Sequence, residues 1–76
     1  MLTVGENMAR CRRRKGLSQM ELSELTGITK GSIGYYERDK VAPGLFNLIT
    51  IADALEVSLD ELIGREFKHE ENHDNA

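Results

Sequence analysis

The sequence predicts a single all-α domain built from five short helices. Apolar residues recur at helical spacing, and no stretch combines two-residue alternation with enrichment in β-branched residues, so we predict no sheet. Four of the predicted helices begin at a Ser or Thr, residues that cap helix N-termini. With 76 residues, 39% of them hydrophobic and 30% charged, the chain has the size and balance of one small globular domain.

Three helices are predicted from capping boxes, in which a Ser or Thr is followed three residues later by Glu. The two side chains satisfy backbone N–H groups that the first turn of a helix leaves unpaired. The pattern occurs at Thr3 with Glu6, at Ser18 with Glu21 and at Ser58 with Glu61. It predicts helices over residues 3–15, 18–25 and 58–65.

The other two helices begin with different signals. Thr29 is a capping residue with an apolar residue on each side of the cap, and it predicts a helix over residues 29–37. Pro43 suits the beginning of a helix because its ring fixes φ and it has no N–H group to satisfy. It predicts a helix over residues 44–55, whose apolar face consists of Leu45, Leu48, Ile51, Ala52 and Leu55.

The linker between the second and third helices consists of only Thr26, Gly27 and Ile28. A connection this short makes the two helices cross steeply instead of folding back as a hairpin. Gly27 suits the left-handed conformation that such a turn needs, because a Cβ costs about 1 kcal/mol or more there. The residues predicted to face inward are Leu22, Leu25, Ile28, Ile33 and Tyr36 here, and Val4, Met8 and Cys11 on the first helix.

The run from Leu17 to Arg38, LSQMELSELTGITKGSIGYYER, resembles the lambda-repressor/Cro-like, or XRE-type, helix-turn-helix family. The similarity continues through Pro43 and through LITIADALEVSLDEL at residues 48–62, and covers roughly residues 3–65. It implies a five-helix lambda-repressor-like DNA-binding domain over residues 1–65, with the helix-turn-helix formed by helices 2 and 3 and the third helix in the major groove. Residues 66–76 are expected to form an acidic, flexible C-terminal tail.

The resemblance also implies which residues contact DNA. Lys30, Gly31 and Tyr35 match the positions from which the family reads bases. Lys30 would donate to guanine, and Tyr35 would pack on a thymine methyl group or donate from its hydroxyl. The positions that match contacts to the DNA backbone or groove wall are Gln19, Thr29, Ser32, Arg38, Lys40 and Asn47.

Two further features are interpreted through the resemblance. Arg12 and Glu37 match a structural ion pair between the first helix and the end of the recognition helix. Gly31 and Gly34 are expected on the outward face of that helix, where each costs about 1 kcal/mol relative to Ala. Two interpretations of these glycines stay open. They let the helix backbone approach DNA more closely, or they belong to a domain that recognises bases weakly and relies on DNA shape.

The net charge of −3 conceals an asymmetry between the two halves of the chain. Residues 1–40 carry eight Lys and Arg against five Asp and Glu, a net charge of +3, whereas residues 41–76 carry two against eight, a net charge of −6. DNA contact requires a basic surface only locally. The N-terminus has neither a basic n-region nor an apolar run, so we expect no signal peptide, no membrane span and a cytoplasmic location.

We expect no enzyme activity, cofactor, metal or small-molecule ligand. The histidines His69 and His73 lie in the predicted tail, no Ser/His/Asp set falls within the domain, and no glycine loop resembles a phosphate cradle. Cys11 is the only cysteine, so no internal disulfide can form.

The predicted function is that of a sequence-specific DNA-binding transcriptional regulator, a repressor that binds a two-fold related operator as a homodimer. Candidate dimer-interface residues are Leu59, Leu62, Ile63 and Phe67. Three alternatives stay open: a DNA-binding antitoxin, a restriction-modification controller protein, and a helix-turn-helix protein-interaction module without DNA binding. The acidic tail is the predicted contact for a protein partner.

Overall fold

A computed structural model describes residues 1–65, which form five α-helices and no strand. The predicted all-α architecture is confirmed. The helices are α1 (Val4–Arg14), α2 (Gln19–Thr26), α3 (Lys30–Glu37), α4 (Leu45–Leu55) and α5 (Leu59–Ile63). No helix in this range is long and apolar enough to cross a membrane. The predicted tail, with Phe67, His69 and His73, lies outside the described residues.

The predicted capping boxes are complete in α1 and α2 but only half formed in α5. Thr3 and Ser18 each accept a hydrogen bond from the backbone N–H of the Glu three residues later, and each Glu accepts from the backbone N–H of the cap. Ser58 Oγ accepts from the Glu61 N–H at 3.0 Å. The Glu61 carboxylate instead accepts from Arg14 at 3.1 Å, because α5 packs beside α1.

The fourth helix begins without a side-chain cap. Gly44 is its N-cap residue and makes no capping hydrogen bond, so Pro43 precedes the cap instead of occupying the first turn. The helix ends at Glu56, which adopts a left-handed conformation with φ 59°. The Lys15 ammonium pairs with the exposed Glu56 carboxylate and lowers its pKa, mainly through their hydrogen bond.

The turn between α2 and α3 has the geometry that Gly27 predicts, with φ 77° at that residue. Ser23 Oγ donates to the carbonyl of Ile28 at 2.6 Å, and the Ile28 N–H donates to Thr26 Oγ1 at 3.1 Å. These bonds place Ser23 and Thr26 on the side of α2 that faces the turn. The prediction that Leu25 faces inward is therefore wrong. With Ser23 and Thr26 on the side of α2 that faces the turn, Leu25 is 61% exposed.

The core receives one fully buried side chain from each helix. These residues are Met8, Leu22, Ile33, Ile51 and Leu62. Burying a side chain of this size contributes about 1.5–3 kcal/mol. Cys11 belongs to the same core, as predicted, whereas Val4 and Leu45 are exposed because they lie in the first turns of α1 and α4, at the edge of the core. Since α3 packs against both α1 and α2, the core determines how α3 is presented to solvent.

Candidate nucleic-acid interface

The outer face of α3 presents the three residues predicted to read bases. Lys30, Gly31 and Tyr35 are all exposed. The Lys30 ammonium has no hydrogen bond or ion pair within residues 1–65. In the same range, apart from the adjoining residues and the backbone of α3 itself, no atom lies within 4 Å of the position that a Cβ on Gly31 would occupy. The tyrosine ring, one turn later, is 51% exposed. This face is therefore open along more than one helical turn.

Thr29 and Ser32 together cap the N-terminus of α3. Thr29 Oγ1 accepts from the Ser32 N–H at 3.1 Å and donates to Ser32 Oγ at 2.9 Å. Both hydroxyl groups are thus engaged at the beginning of the helix, with Thr29 exposed and Ser32 half-buried. Their first role is to hold the end of the helix from which Lys30 projects.

A buried ion pair joins α1 to the end of α3 and also holds Gln19. Arg12 Nε and Nη2 donate to the two carboxylate oxygens of Glu37 at 2.7 and 3.0 Å, and Arg12 Nη1 donates to the Leu17 carbonyl at 2.7 Å. The hydrogen bond with Glu37 raises the pKa of Arg12. Gln19 Nε2 donates to Glu37 at 2.9 Å. Because an amide NH₂ has two donors, the second remains for a ligand.

Arg38 folds back over α3 and covers Gly34. Its guanidinium carbon lies 5.3 Å from the centroid of the Tyr35 ring, within the range of a cation–π contact. A Cβ on Gly34 would lie 3.1 Å from Arg38 Nη1 and 3.8 Å from Gln19 Oε1. The prediction that Gly34 lies on the open outward face is therefore wrong, because Arg38 occupies the space beside this glycine.

Lys40 and Asn47 lie beyond the end of α3. Lys40 is exposed, and its backbone N–H donates to the Tyr35 carbonyl at 2.9 Å. Asn47 is half-buried, and its Nδ2 donates to Tyr36 Oη at 2.8 Å, which ties the first turn of α4 to α3. One Asn47 N–H is thus used inside the domain.

Asp39 forms a contact that the sequence analysis missed. Its backbone is left-handed, with φ 60°, and its carboxylate accepts from Thr3 Oγ1 at 2.6 Å and from the Gly5 N–H at 2.9 Å. The acid therefore holds the N-terminus of α1, where negative charge is favourable, against the end of α3. No signal within either segment predicts this pairing, since 34 and 36 residues separate the partners.

The predicted dimer-interface residues have different environments. Leu62 is fully buried in the core, so its assignment to an interface is wrong: helical spacing alone does not distinguish a core face from a partner face. Leu59 is 38% exposed and Ile63 is half-buried. Phe67 lies outside the described residues.

Comparison with known proteins identifies the family to which the chain belongs. A family model described as helix-turn-helix matches residues 8–62, a range that includes all of α2, α3 and α4. The chain belongs to the helix-turn-helix family. This membership confirms the resemblance predicted from the sequence.

Relatives within the helix-turn-helix family include repressors and regulators. The chain is 38% identical over 64 residues to the cryptic phage CTXphi transcriptional repressor RstR of Vibrio cholerae; the match covers 84% of this chain and 57% of RstR. The chain thus spans little more than half the length of that relative. In solved structures, the fold is similar to the P22 c2 repressor protein in complex with a synthetic operator, with a TM-score of 0.79, 26% identity, and coverage of 87% of this chain and 100% of the repressor.

A second solved structure represents another kind of regulator. The restriction-modification controller protein C.AhdI from Aeromonas hydrophila matches with a TM-score of 0.75 and 34% identity. The match covers 78% of this chain and 89% of the controller protein. One of the functions left open by the sequence analysis therefore occurs among the relatives of this fold.

Proposed function

We propose that the protein is a sequence-specific DNA-binding transcriptional regulator that represses by occupying a two-fold related operator as a homodimer. The observation that carries the proposal is the outer face of α3, where Lys30, Gly31 and Tyr35 are exposed beside Gln19 and Arg38. An α-helix fits the major groove of B-DNA, where each base pair presents a distinct pattern of donors and acceptors.

The residues divide into those that read bases and those that position the domain. Lys30, at the N-terminal end of α3, donates to guanine, and Tyr35 contacts a thymine methyl group or donates from its hydroxyl. Gln19, Arg38, Lys40 and the free N–H of Asn47 contact phosphates, which set the register of α3 but carry no sequence information. Gln19 is preorganised for this role because Glu37 already holds one of its two amide protons.

The relatives support this proposal. RstR is named a transcriptional repressor, and the P22 c2 repressor was solved in complex with an operator. The proposed action is binding without catalysis, cofactor or metal, and its place is the cytoplasm, where a bacterial or phage operator is found.

Homodimerisation supplies the affinity that one small module lacks. Two recognition helices about 34 Å apart would enter successive major grooves on one side of the duplex. Leu59 and Ile63 on α5 are the accessible apolar candidates for the contact between copies, and we extend the proposal to Phe67.

The experiment is a selection of operators from a randomised duplex library, followed by salt-dependent titration of the selected site. We expect enrichment of a two-fold related sequence. Lys30→Ala is expected to weaken binding and relax preference at one position in each half-site, whereas Gln19→Ala weakens binding to all sequences alike. Weak binding without enrichment, vanishing as salt rises, would reduce the interaction to counterion release and refute the proposal.

A restriction-modification controller protein is the second candidate function, favoured by the similarity to C.AhdI. Both functions use the same DNA interface and differ in the genes they control. Mapping the selected operator onto the host genome distinguishes them. A site beside the genes of a restriction endonuclease and its methyltransferase would favour the controller, and a site elsewhere would favour the general repressor.

A further inference from the structure

A solvent-open cleft of about 500 Å³ lies between α1 and the segment where α2 begins and α3 ends. Arg10 and Arg13 line it from α1, and Gln19 and Arg38 line it from the other side. Three of these four side chains are cationic. The four come from three parts of the chain, α1, the beginning of α2 and the end of α3, which only the fold brings together.

Three arginines of α1 line the cleft, and two of them, Arg10 and Arg13, have no acidic partner within residues 1–65, whereas Arg12 is paired with Glu37. Arg10 and Arg13 are both exposed, and their guanidinium groups make no hydrogen bond or ion pair in that range. The next two cations along the chain are paired: Arg14, the last residue of α1, with Glu61 at 3.1 Å, and the C-cap residue Lys15 with Glu56. Within residues 1–65, the cations on the side facing α4 and α5 are therefore neutralised, whereas Arg10 and Arg13 in the cleft are not.

The acidic groups that do line the cleft are already engaged. Glu37 accepts three hydrogen bonds, two from Arg12 and one from Gln19. The Glu6 carboxylate accepts from the Thr3 N–H at 3.0 Å in the capping box of α1. An anion that enters the cleft would meet three guanidinium groups while these two carboxylates remain bound to other donors.

We propose that this cleft binds DNA-backbone phosphate and that Arg10 and Arg13 extend the phosphate contacts of Gln19 and Arg38 onto α1. The inference rests on the proposed function and deepens it, because Gln19 and Arg38 belong to both surfaces. A DNA strand carries one charge per 3.4 Å or so of helix axis, so a strand held at Gln19 brings neighbouring phosphates to Arg10 and Arg13. Guanidinium groups bind phosphate with paired, charge-assisted hydrogen bonds.

The test compares three single variants that each remove one positive charge from α1. Arg10→Gln and Arg13→Gln alter the cleft, and Arg14→Gln is the matched control outside it. Binding to the selected operator and to a scrambled duplex is measured across a range of salt concentrations. Each cleft variant is expected to lower affinity about 10-fold on both duplexes and to reduce the magnitude of the salt slope by about 0.9. The control retains near wild-type affinity and slope.

Each outcome has a distinct meaning. If the three variants weaken binding equally, only net charge matters and the cleft proposal is overturned while the proposed function stands. If the selection enriches no sequence that the wild-type protein binds in preference to the scrambled duplex, the proposed function itself fails. Circular dichroism of each variant verifies folding.

A second arm distinguishes DNA phosphate from a free phosphate compound. The wild-type protein is titrated with inorganic pyrophosphate in the absence of DNA and followed by NMR. Saturable binding that Arg13→Gln abolishes, with operator affinity unchanged in that variant, would assign the cleft to a free anion and overturn the proposal. Weak, unsaturated shifts together with the expected loss of operator affinity support it.

Discussion

Gly5 is the position where adding one methyl group is expected to be most revealing. It is the second residue of α1 and lies buried against the end of α3. A Cβ there would be 2.6 Å from the Glu37 carbonyl oxygen, 2.8 Å from Asp39 Oδ1, and in closer contact still with the Tyr36 carbonyl oxygen. Real Cβ atoms essentially never approach other atoms within 3.0 Å, and two of these atoms belong to the backbone. Gly5→Ala must therefore push α1 away from α3.

The expected loss of stability has two contributions, strain and weakened hydrogen bonds, and is partly offset by a small gain in helix propensity. Overpacking of this kind costs about 1–3 kcal/mol. Retreat of α1 also stretches the bonds from Thr3 and Gly5 to Asp39, each worth about 1 kcal/mol. Replacing Gly by Ala in a helix returns at most about 1 kcal/mol. The net destabilisation is about 2 kcal/mol, which lowers Tm by roughly 8–16 °C in a domain of this size.

Thermal and urea unfolding, followed by circular dichroism, measure this effect. Gly31→Ala is the matched control because the same substitution in α3 meets no atom within 4 Å; it should leave stability unchanged or raise it by up to about 1 kcal/mol. A Gly5→Ala protein as stable as the wild type would refute the reasoning, since α1 would then approach α3 less closely than the structure places it.

Three further predictions concern buried groups. Arg12→Ala should lower the free energy of unfolding in urea by about 3–5 kcal/mol, because it leaves the Glu37 carboxylate buried and unpaired. The double variant Arg12→Met with Glu37→Leu should retain most of the stability. A loss below about 1 kcal/mol in the single variant would contradict the buried ion pair. Leu62→Ala should destabilise the folded domain by about 2–5 kcal/mol at every protein concentration, and Leu59→Ala should destabilise it much less. Equal, small losses in both variants would place both side chains on the surface. Burial raises the pKa of the Cys11 thiol, and the thiolate is the reactive form. Labelling of Cys11 by an aromatic disulfide at about pH 8 should therefore be far slower in the native protein than in urea. Equally fast labelling would mean that Cys11 is accessible.

Much of the fold could be predicted from the sequence because its signals are local. The capping residues Thr3, Ser18 and Thr29 act on N–H groups three positions away, and the left-handed backbone of Gly27 suits a residue without a Cβ. The family resemblance added a contact that local signals do not predict, the pairing of Arg12 with Glu37, whose atoms the structure brings to 2.7 Å.

The errors concern side chains whose environment depends on another helix. Leu25 and Leu45 have the apolar character of core residues, yet none of the helices in residues 1–65 covers them. Leu62 was assigned to an interface, yet α5 directs it into the core. Helical periodicity predicts that a face is apolar, but it does not predict what packs against that face.

What the sequence by itself determined is where each helix begins, which residues lie on α3, and which family the chain resembles. Only the tertiary structure decided that Gly5 must lack a side chain and that Arg38 covers Gly34. It also decided that, within residues 1–65, Arg14 is paired while the guanidinium groups of Arg10 and Arg13 are not. The physical reason is distance along the chain: capping and turn energies act within about four residues, whereas close packing and charge pairing join atoms that become neighbours only when helices meet.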